Sequence, residues 1–358
     1  MAKRLFCLSV VFVFALAIVG TTLWAQSGKI DVKVIKLARE VRGKGWIVFT
    51  GMTAKRDYDL FVMRPDGTRK RNLTNTPDFN EVGPQFSPNG KKMLYRRHKK
   101  GTKTNHDLWG KQGELIIANA NGSNPKAFGK DGQYPWASWG PNDEQVATLT
   151  NSGIEIIDLK TKEVVKKMDR KGIFQQLFWT ADGKWFCGTA NFKGQSWTVV
   201  RLNAKTGVVN AVNTYQNCTP DWFQDSKRMI FSNRPRQPAG DPALYQKHGE
   251  GAGYGWTHLY MANGDGSKKT LIYAEDGAHI YFGCTSPDMK YVVFSKLPKD
   301  GAFDAPMGVM RLSDAPTVGG KSAALRKMFG KSKDGPVVPL PAGFEPRWTY
   351  LDIGAKKK

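Results

Sequence analysis

The stretch Phe86-Ser-Pro-Asn-Gly-Lys-Lys-Met-Leu-Tyr95 is one copy of a motif that recurs along the chain. Most copies have an aromatic residue, three or four turn-forming residues, one or two basic residues and a short apolar run. The other copies begin at Trp139, Trp179, Trp222 and Thr285, and a degenerate copy is Phe344-Glu-Pro-Arg-Trp348. Two successive spacings, of 40 and 43 residues, fall in the range of about 20–50 residues that repeat architectures use.

Each motif has the residue pattern of a β-hairpin. Asn89-Gly90 and Asp182-Gly183 supply the positive φ angles that tight turns require. A second hairpin follows each first one, as where Leu60–Met63 runs into Asp66-Gly67. Each repeat therefore holds four short strands, A to D, and four short strands per repeat are typical of a propeller blade. We predict an all-β, six-bladed β-propeller.

The two ends of the repeat region are complementary. Residues 46–74 supply strands B, C and D of a first blade with no strand A before them, and Phe344–Trp348 resembles a lone strand A. Pairing these segments closes the ring and removes exposed sheet edges. Seven blades are the alternative if residues 30–37 belong to a further blade.

The N-terminus resembles a secretory signal peptide. Lys3 and Arg4 precede the apolar run 5–19, and Ala25 is a suitable residue before a cleavage site. A membrane anchor is the alternative, although the run is shorter than the roughly 20 residues that span a bilayer. We expect a periplasmic or secreted protein with no integral membrane segment after cleavage. The expected divisions are 1–25 signal peptide, 26–45 N-terminal extension, 46–352 propeller and 353–358 basic tail.

The formal net charge of +23 predicts attraction to anions. An exported protein rarely meets nucleic acid, so we expect no nucleic-acid partner. Acidic polysaccharide, lipopolysaccharide or an anionic membrane surface are better candidates, and general surface charge without a dedicated partner is the alternative. We expect a monomer.

Three segments resemble the TolB-type β-propeller repeat family. They are Asp59–Gly67, Arg71–Thr74 and Pro84–Gly90, which match the family's signature strand, its strand with Leu-Thr and its Ser-Pro-Asp-Gly turn. The resemblance implies a propeller without the α/β domain that precedes it in TolB. Oligogalacturonate lyases are similar too, and that likeness implies a His-rich metal site acting on an acidic polysaccharide.

Propeller ligands usually bind at the face that carries the D–A and B–C loops. Two B–C loops are long, 96–113 and 233–256, and such loops often carry function. We call the residue that begins each motif its anchor, and in the degenerate copy the anchor is Trp348. The D–A residues three places before each anchor should form one ring around the channel. The candidate ligand-binding residues are Tyr134, Trp136, Gln176, Arg234, Arg236, Trp256, His279, Glu345 and Arg347.

Three histidines could meet on this face to hold a divalent metal: His106, His248 and His279. Neutral imidazoles with a carboxylate suit such an ion. No histidine has H-E-x-x-H spacing, and without such a site we expect no cofactor. His258 is expected to begin a strand and be structural. Residues 313–336 form a basic insertion, in which 323–329 have helical character.

Two functions remain open. The first is a non-catalytic binding or scaffold propeller for a glycan or protein partner, which the lack of a nucleophile–base or metal motif favours. The alternative is a metal-assisted lyase acting on acidic polysaccharide. A lyase needs a base and a cation that holds the uronate carboxylate, a role open to Arg96, Arg234 or Arg347.

Overall fold

The computed structural model of the protein describes residues 31–102, 110–234, 256–275, 277–298, 305–319, 323–329 and 335–353. The predicted signal peptide and all but the first residue of the predicted basic tail lie outside these ranges. The same holds for three candidate site residues, His106, Arg236 and His248. Their predicted roles stay predictions.

Six sheets of at least four strands form the blades, and within each blade neighbouring strands are antiparallel. The first three blades follow the chain order, except that blade 1 also takes the last strand of the chain. Blade 1 holds β1 (Trp46–Met52), β2 (Tyr58–Met63) and β3 (Arg71–Asn72). Blade 2 holds β4 (Phe79–Phe86), β5 (Lys92–Lys99), β6 (Glu114–Asn119) and β7 (Lys126–Phe128). Blade 3 holds β8 (Ser138–Trp139), β9 (Gln145–Thr150), β10 (Gly153–Asp158) and β11 (Val164–Met168).

The other three blades continue this order. Blade 4 holds β12 (Ile173–Trp179), β13 (Trp185–Phe192), β14 (Gln195–Asn203) and β15 (Val209–Asn213). Blade 5 holds β16 (Asn217–Trp222), β17 (Arg228–Asn233), β18 (His258–Asn263) and β19 (Thr270–Glu275). Blade 6 holds β20 (His279–Thr285), β21 (Tyr291–Leu297), β22 (Pro306–Arg311) and β24 (Val338–Ala342), and β23 (Thr317–Gly319) lies between the last two in sequence. The predicted six-bladed propeller is confirmed.

The ring closes as the sequence predicted. The last strand, β25 (Phe344–Thr349), pairs with β1 as strand A of blade 1, with Trp348 opposite Ile47. Phe344 is fully buried, and the indole nitrogen of Trp348 donates a hydrogen bond to the carbonyl oxygen of Lys44 at 2.7 Å. Both ends of the repeat region therefore belong to one blade.

The segment before blade 1 is a helix, α1 (Val32–Val41), so the seven-bladed alternative is wrong. The Asp31 side chain caps the helix by accepting a hydrogen bond from the backbone N–H of Lys33. Leu37 and Val41 lie one turn apart and are both fully buried. They pack in a cluster that contains residues of blades 1 and 6. The helix thus covers the closing junction rather than adding a blade.

The tight A–B turns have the geometry that their glycines require. Gly90 has a φ of +64° and Gly183 a φ of +73°, a region that L side chains rarely adopt. Asp143, Ser226 and Met289 occupy the same place in other blades and also have positive φ, between +56° and +61°. The turn geometry is therefore a property of the repeat, and glycine is its least strained solution.

The basic insertion leaves blade 6 and returns to it after covering blade 5. Its strand β23 pairs in parallel with β19, the outer strand of blade 5. It then forms a helix, α2 (Ala323–Phe329), where the sequence predicted helical turns. The Phe329 ring packs edge-on against His258, with ring centroids 5.4 Å apart. His258 begins β18, as predicted, and is fully buried, and burial lowers its pKa to about 3.

Candidate functional site

Six residues at one level of the innermost strands form a ring around the axis. Each lies three places before its blade's anchor, and each has a positive φ between +49° and +65°. The pairing register shifts beside at least five of them, because an extra residue bulges from the strand. The ring consists of Gly83, Trp136, Gln176, Thr219, Phe282 and Glu345.

Side chains of this ring connect neighbouring blades. The Oε1 atom of Gln176 accepts a hydrogen bond from the backbone N–H of Thr219 at 2.7 Å, from blade 4 to blade 5. Thr219 Oγ1 accepts one from the backbone N–H of Phe282 at 3.4 Å, from blade 5 to blade 6. Thr50 Oγ1 accepts one from the backbone N–H of Gly83 at 3.2 Å in the same direction, from blade 1 to blade 2. Hydrogen bonds at the bulges therefore join three pairs of neighbouring blades.

An ion pair crosses the channel one level below. Arg347 of blade 1 donates to Asp221 of blade 5, with Nη1 and Oδ2 2.5 Å apart and 18% of each side chain exposed. The guanidinium also lies 4.5 Å from the ring centroid of Phe178 in blade 4. Burial raises the pKa of Asp221, and the Arg347 charge opposes that rise. Three blades meet through one arginine on the axis.

The channel between these two levels is narrow. It is lined by residues from the innermost strand of every blade and encloses about 60 Å³. A buried water needs about 10–15 Å³ of such space, so the channel has room for about four waters. A sugar ring does not fit beside the Arg347–Asp221 pair. Any larger ligand must bind at one of the two faces.

The candidate residues fall into two groups and one isolated position. Trp136, Gln176, Glu345 and Arg347 all line the channel. Arg234, Trp256 and His279 come together at the loop-bearing face of blades 5 and 6. Tyr134 is 7% exposed, and its ring packs against Phe128 with centroids 5.1 Å apart. Ligand contact by any of these residues stays a prediction.

The group at the loop-bearing face, the loop-face cluster, is joined by Thr257. Its backbone N–H donates to Nδ1 of His279 at 3.1 Å, so the neutral imidazole carries its proton on Nε2. The Thr257 hydroxyl lies 3.1 Å from the Tyr281 hydroxyl, and Arg234 Nε donates to Thr257 Oγ1 at 3.5 Å. The Trp256 ring lies 5.0 Å from the imidazole. A partly exposed guanidinium thus meets hydroxyls and a buried indole at this edge of blades 5 and 6.

Asp221, Phe178, Thr257 and Tyr281 were not among the predicted site residues. A signal for Asp221 was present in the repeat, since Asp221 and the predicted Arg347 both lie one place before their anchors. Opposite charges at one level of a narrow channel indicate an ion pair. For Thr257 and Tyr281 no comparable signal exists, because both lie outside the motif that was aligned.

The opposite face has a wider opening. An axial funnel of about 440 Å³ is lined by the A–B turns of blades 2 to 6 and by the end of β25 with residues 350–351. Its wall includes the anchor residues, among them Trp139, Trp179 and Trp222, and Arg347 stands at its narrow end. The sequence drew attention to the loop-bearing face and gave no indication of this funnel.

The fold can be compared with known structures. No protein-family model matches the sequence, and no curated protein matches it. TolB from Acinetobacter baumannii superposes with a TM-score of 0.57 at 16% identity, covering 92% of this chain and 69% of that one. The fold is that of a TolB-type β-propeller. The propeller also resembles a chain of the nidogen/laminin complex (TM-score 0.51, 8% identity, 75% of this chain and 90% of that one).

An oligogalacturonate lyase from Vibrio parahaemolyticus is more distant from this TolB-type propeller. Its TM-score is 0.41 at 13% identity, over 75% of this chain and 71% of that one. In the part of the chain that the structure describes, no group of three His, Cys, Asp or Glu residues could hold a metal ion. Over the same ranges, no helix has the length and apolar character needed to cross a bilayer.

Replacing Glu345 with Gln is expected to change how stability depends on pH. Burial raises the pKa of Glu345 from 4.5 to about 7, so the folded protein holds this proton more tightly than the unfolded chain. Its contribution is complete below about pH 4.5 and is lost as pH rises through about 7. One proton changes the free energy of unfolding by at most about 1.4 kcal/mol per pH unit. Urea titrations from pH 4 to 9 should therefore show a flatter profile in E345Q.

A second buried glutamate provides the comparison for E345Q. Glu81 is fully buried, and burial raises its pKa to about 8. E81Q should flatten the dependence of the free energy of unfolding on pH up to about pH 8. E345Q should flatten it only up to about pH 7. Coincident profiles for wild type and E345Q would contradict the assignment of a raised pKa to Glu345.

Proposed function

We propose that the protein is an exported, non-catalytic binding propeller that recognises a glycan or protein partner at its loop-bearing face. The convergence of Arg234, Trp256 and His279 around Thr257 carries this proposal. An arginine, hydroxyl groups and aromatic rings that meet at one edge are the groups that bind an anionic or hydroxyl-rich partner.

The channel supports the same assignment. Arg96 donates to the carbonyl oxygen of Gly110 within its own blade. Gln176 hydrogen-bonds to a neighbouring blade, and Arg347 pairs with Asp221 across the channel. Such groups hold the ring together, and the narrow channel leaves the faces for recognition. The net charge of +23 favours an anionic partner, since a positive surface attracts anions and raises association rates. A periplasmic or extracellular location is part of the proposal.

Replacing Arg234 with Gln is expected to weaken binding to immobilised alginate about tenfold, the effect of losing about 1.4 kcal/mol. The variant removes the charge and keeps a polar side chain that can hydrogen-bond. Binding should also weaken as salt rises from about 50 to about 300 mM, because exposed charges are screened. Biolayer interferometry on residues 26–358 measures both effects.

Arg69 provides the matched control, because it is an exposed arginine in the turn that precedes β3. R69Q removes the same charge from a different blade and should bind alginate like the wild type. Equal affinities for R234Q and R69Q would place the site elsewhere. Circular dichroism melts of both variants establish that neither change unfolds the protein.

The lyase alternative makes different predictions for the same proteins. A metal-dependent lyase binds metal in elemental analysis and releases unsaturated products that absorb in the ultraviolet. The binding propeller proposed here should produce neither result with alginate or polygalacturonate. Replacing His106, His248 and His279 together should abolish both in a lyase and should reduce binding only modestly in a binding protein.

A further inference from the structure

A groove of about 470 Å³ lies between blades 4 and 5, on the face opposite the loop-face cluster. Its volume falls within the range of about 300–1,000 Å³ that small-molecule sites have. Its walls hold three cations and two tryptophans: Lys184, Arg201, Lys227, Trp185 and Trp222. We name it the seam groove. Trp222 also lines the axial funnel, so the groove continues from the funnel towards the rim.

Arg201 is positioned over an aromatic ring but not fixed by hydrogen bonds at Nε. Its guanidinium lies 4.4 Å from the ring centroid of Trp185, and its Nε atom has no hydrogen-bond partner within the described ranges. Arg64 is the counterpart in blade 1, stacked 3.8 Å from Trp46, and its Nη1 donates to the carbonyl oxygen of Gly45. Arg64 is thus held by a backbone hydrogen bond, whereas Arg201 is held over Trp185 by its ring contact and lines the groove.

The two carboxylates of the seam groove are engaged by their own turns. Asp265 accepts hydrogen bonds from the backbone N–H and the hydroxyl of Ser267, at 2.9 and 2.7 Å. Asp182 accepts from the Thr180 hydroxyl at 2.7 Å and from the backbone N–H of Lys184 at 3.1 Å. Asp182 also forms an ion pair with Lys184, 3.5 Å apart with 72% of the lysine side chain exposed, and Asp265 lies within electrostatic range of Arg201. With Lys227, the three cations still outnumber the two acids of the groove.

Trp222 adds an unsatisfied donor to the same wall. The residue is 7% exposed, and its indole nitrogen is buried without a hydrogen-bond partner among the residues described. A buried donor left unpaired costs about 1–3 kcal/mol.

We infer that the seam groove binds a carboxylate-bearing oligosaccharide, such as a short chain of uronic acids. The flat faces of tryptophan pack against the apolar faces of sugar rings, and arginine binds carboxylates through paired hydrogen bonds. Cations with two tryptophans fit a ring that bears a carboxylate better than they fit a compact phosphate. The open connection to the funnel fits a linear chain. This site is separate from the one in the proposed function.

The indole resonances of Trp185 and Trp222 test the inference at the site itself. An alginate tetramer added to ¹⁵N-labelled protein should shift both signals in a saturable manner. R201Q should weaken that binding about fivefold or more, and W185F, which keeps an aromatic ring, should weaken it less. A tetramer whose carboxylates have been reduced to alcohols should bind at least about fivefold more weakly than alginate, an effect of about 1 kcal/mol.

Two control variants separate this site from the others. R64Q removes a tryptophan-stacked arginine from blade 1, and R234Q removes the charge of the loop-face cluster. Both should leave the Trp185 and Trp222 shifts unchanged. The inference is overturned if alginate does not shift the Trp222 signal or if R201Q binds like wild type. Equal binding of the carboxyl-reduced tetramer, or equal shifts with inorganic phosphate, would also overturn it.

Discussion

A chain that ends at residue 343 is expected to lose its cooperative unfolding transition. The truncation removes β25, whose Phe344 is fully buried and whose Trp348 is 6% exposed. Loss of each buried aromatic costs about 3–5 kcal/mol, and the net stability of a domain is only about 5–15 kcal/mol. The deletion also removes Arg347 and exposes the inner edge of β1. Calorimetry and near-ultraviolet circular dichroism measure the loss.

The matched control for this truncation is a chain that ends at residue 353. It keeps β25 and removes only the lysine-rich tail, so it should melt within about 1 °C of the full protein, as expected for a surface change. If the chain ending at residue 343 melted at the same temperature as this control, the closing strand would not stabilise the ring.

Replacing Arg347 with Met is expected to lower the free energy of unfolding by about 3–5 kcal/mol. The variant keeps apolar volume beside Phe178 and leaves the Asp221 carboxylate buried without its cation. Replacing both partners, in R347M/D221L, should recover most of the loss, because no buried charge then remains unpaired. Urea unfolding at pH 7 gives the three values.

An exposed ion pair provides the control. Lys171 and Asp169 are 3.1 Å apart with 44% and 65% of their side chains exposed. K171M should therefore cost less than about 1 kcal/mol. If R347M were no more destabilising than K171M, the ion pair on the axis would contribute little to the ring.

The repeat could be predicted from the sequence because the same turn and strand residues recur in its copies. Turn glycines such as Gly90 and Gly183 fix the hairpins, and the unpaired strand at Phe344 implies closure. Helix α1 was missed because it lies outside the repeat and buries only Leu37 and Val41 completely. Strand β23 was missed because three residues are too few to show the alternating apolar pattern of a strand.

The sequence could predict which residues lie at the same height in the channel, but not which neighbours their side chains contact. Aligning the repeats placed Gln176 and Glu345 at one level, and both residues line the channel. Which neighbour each side chain contacts depends on the positive φ of the bulge, and that angle is set by pairing across the sheet. The loop-face cluster depends on Thr257, which joins side chains from two blades and belongs to no repeat motif.

Two segments outside the repeat reinforce only half of the ring. Helix α1 packs on blades 1 and 6 and joins them through the ion pair of Glu40 with Arg311, 2.5 Å apart. Strand β23 joins blade 6 to blade 5. Three consecutive blades therefore form a single cooperative unit, whereas blades 2 to 4 are held to their neighbours by the repeat's own contacts. In local unfolding, the amide hydrogens of blades 2 to 4 should exchange with solvent before those of the joined blades.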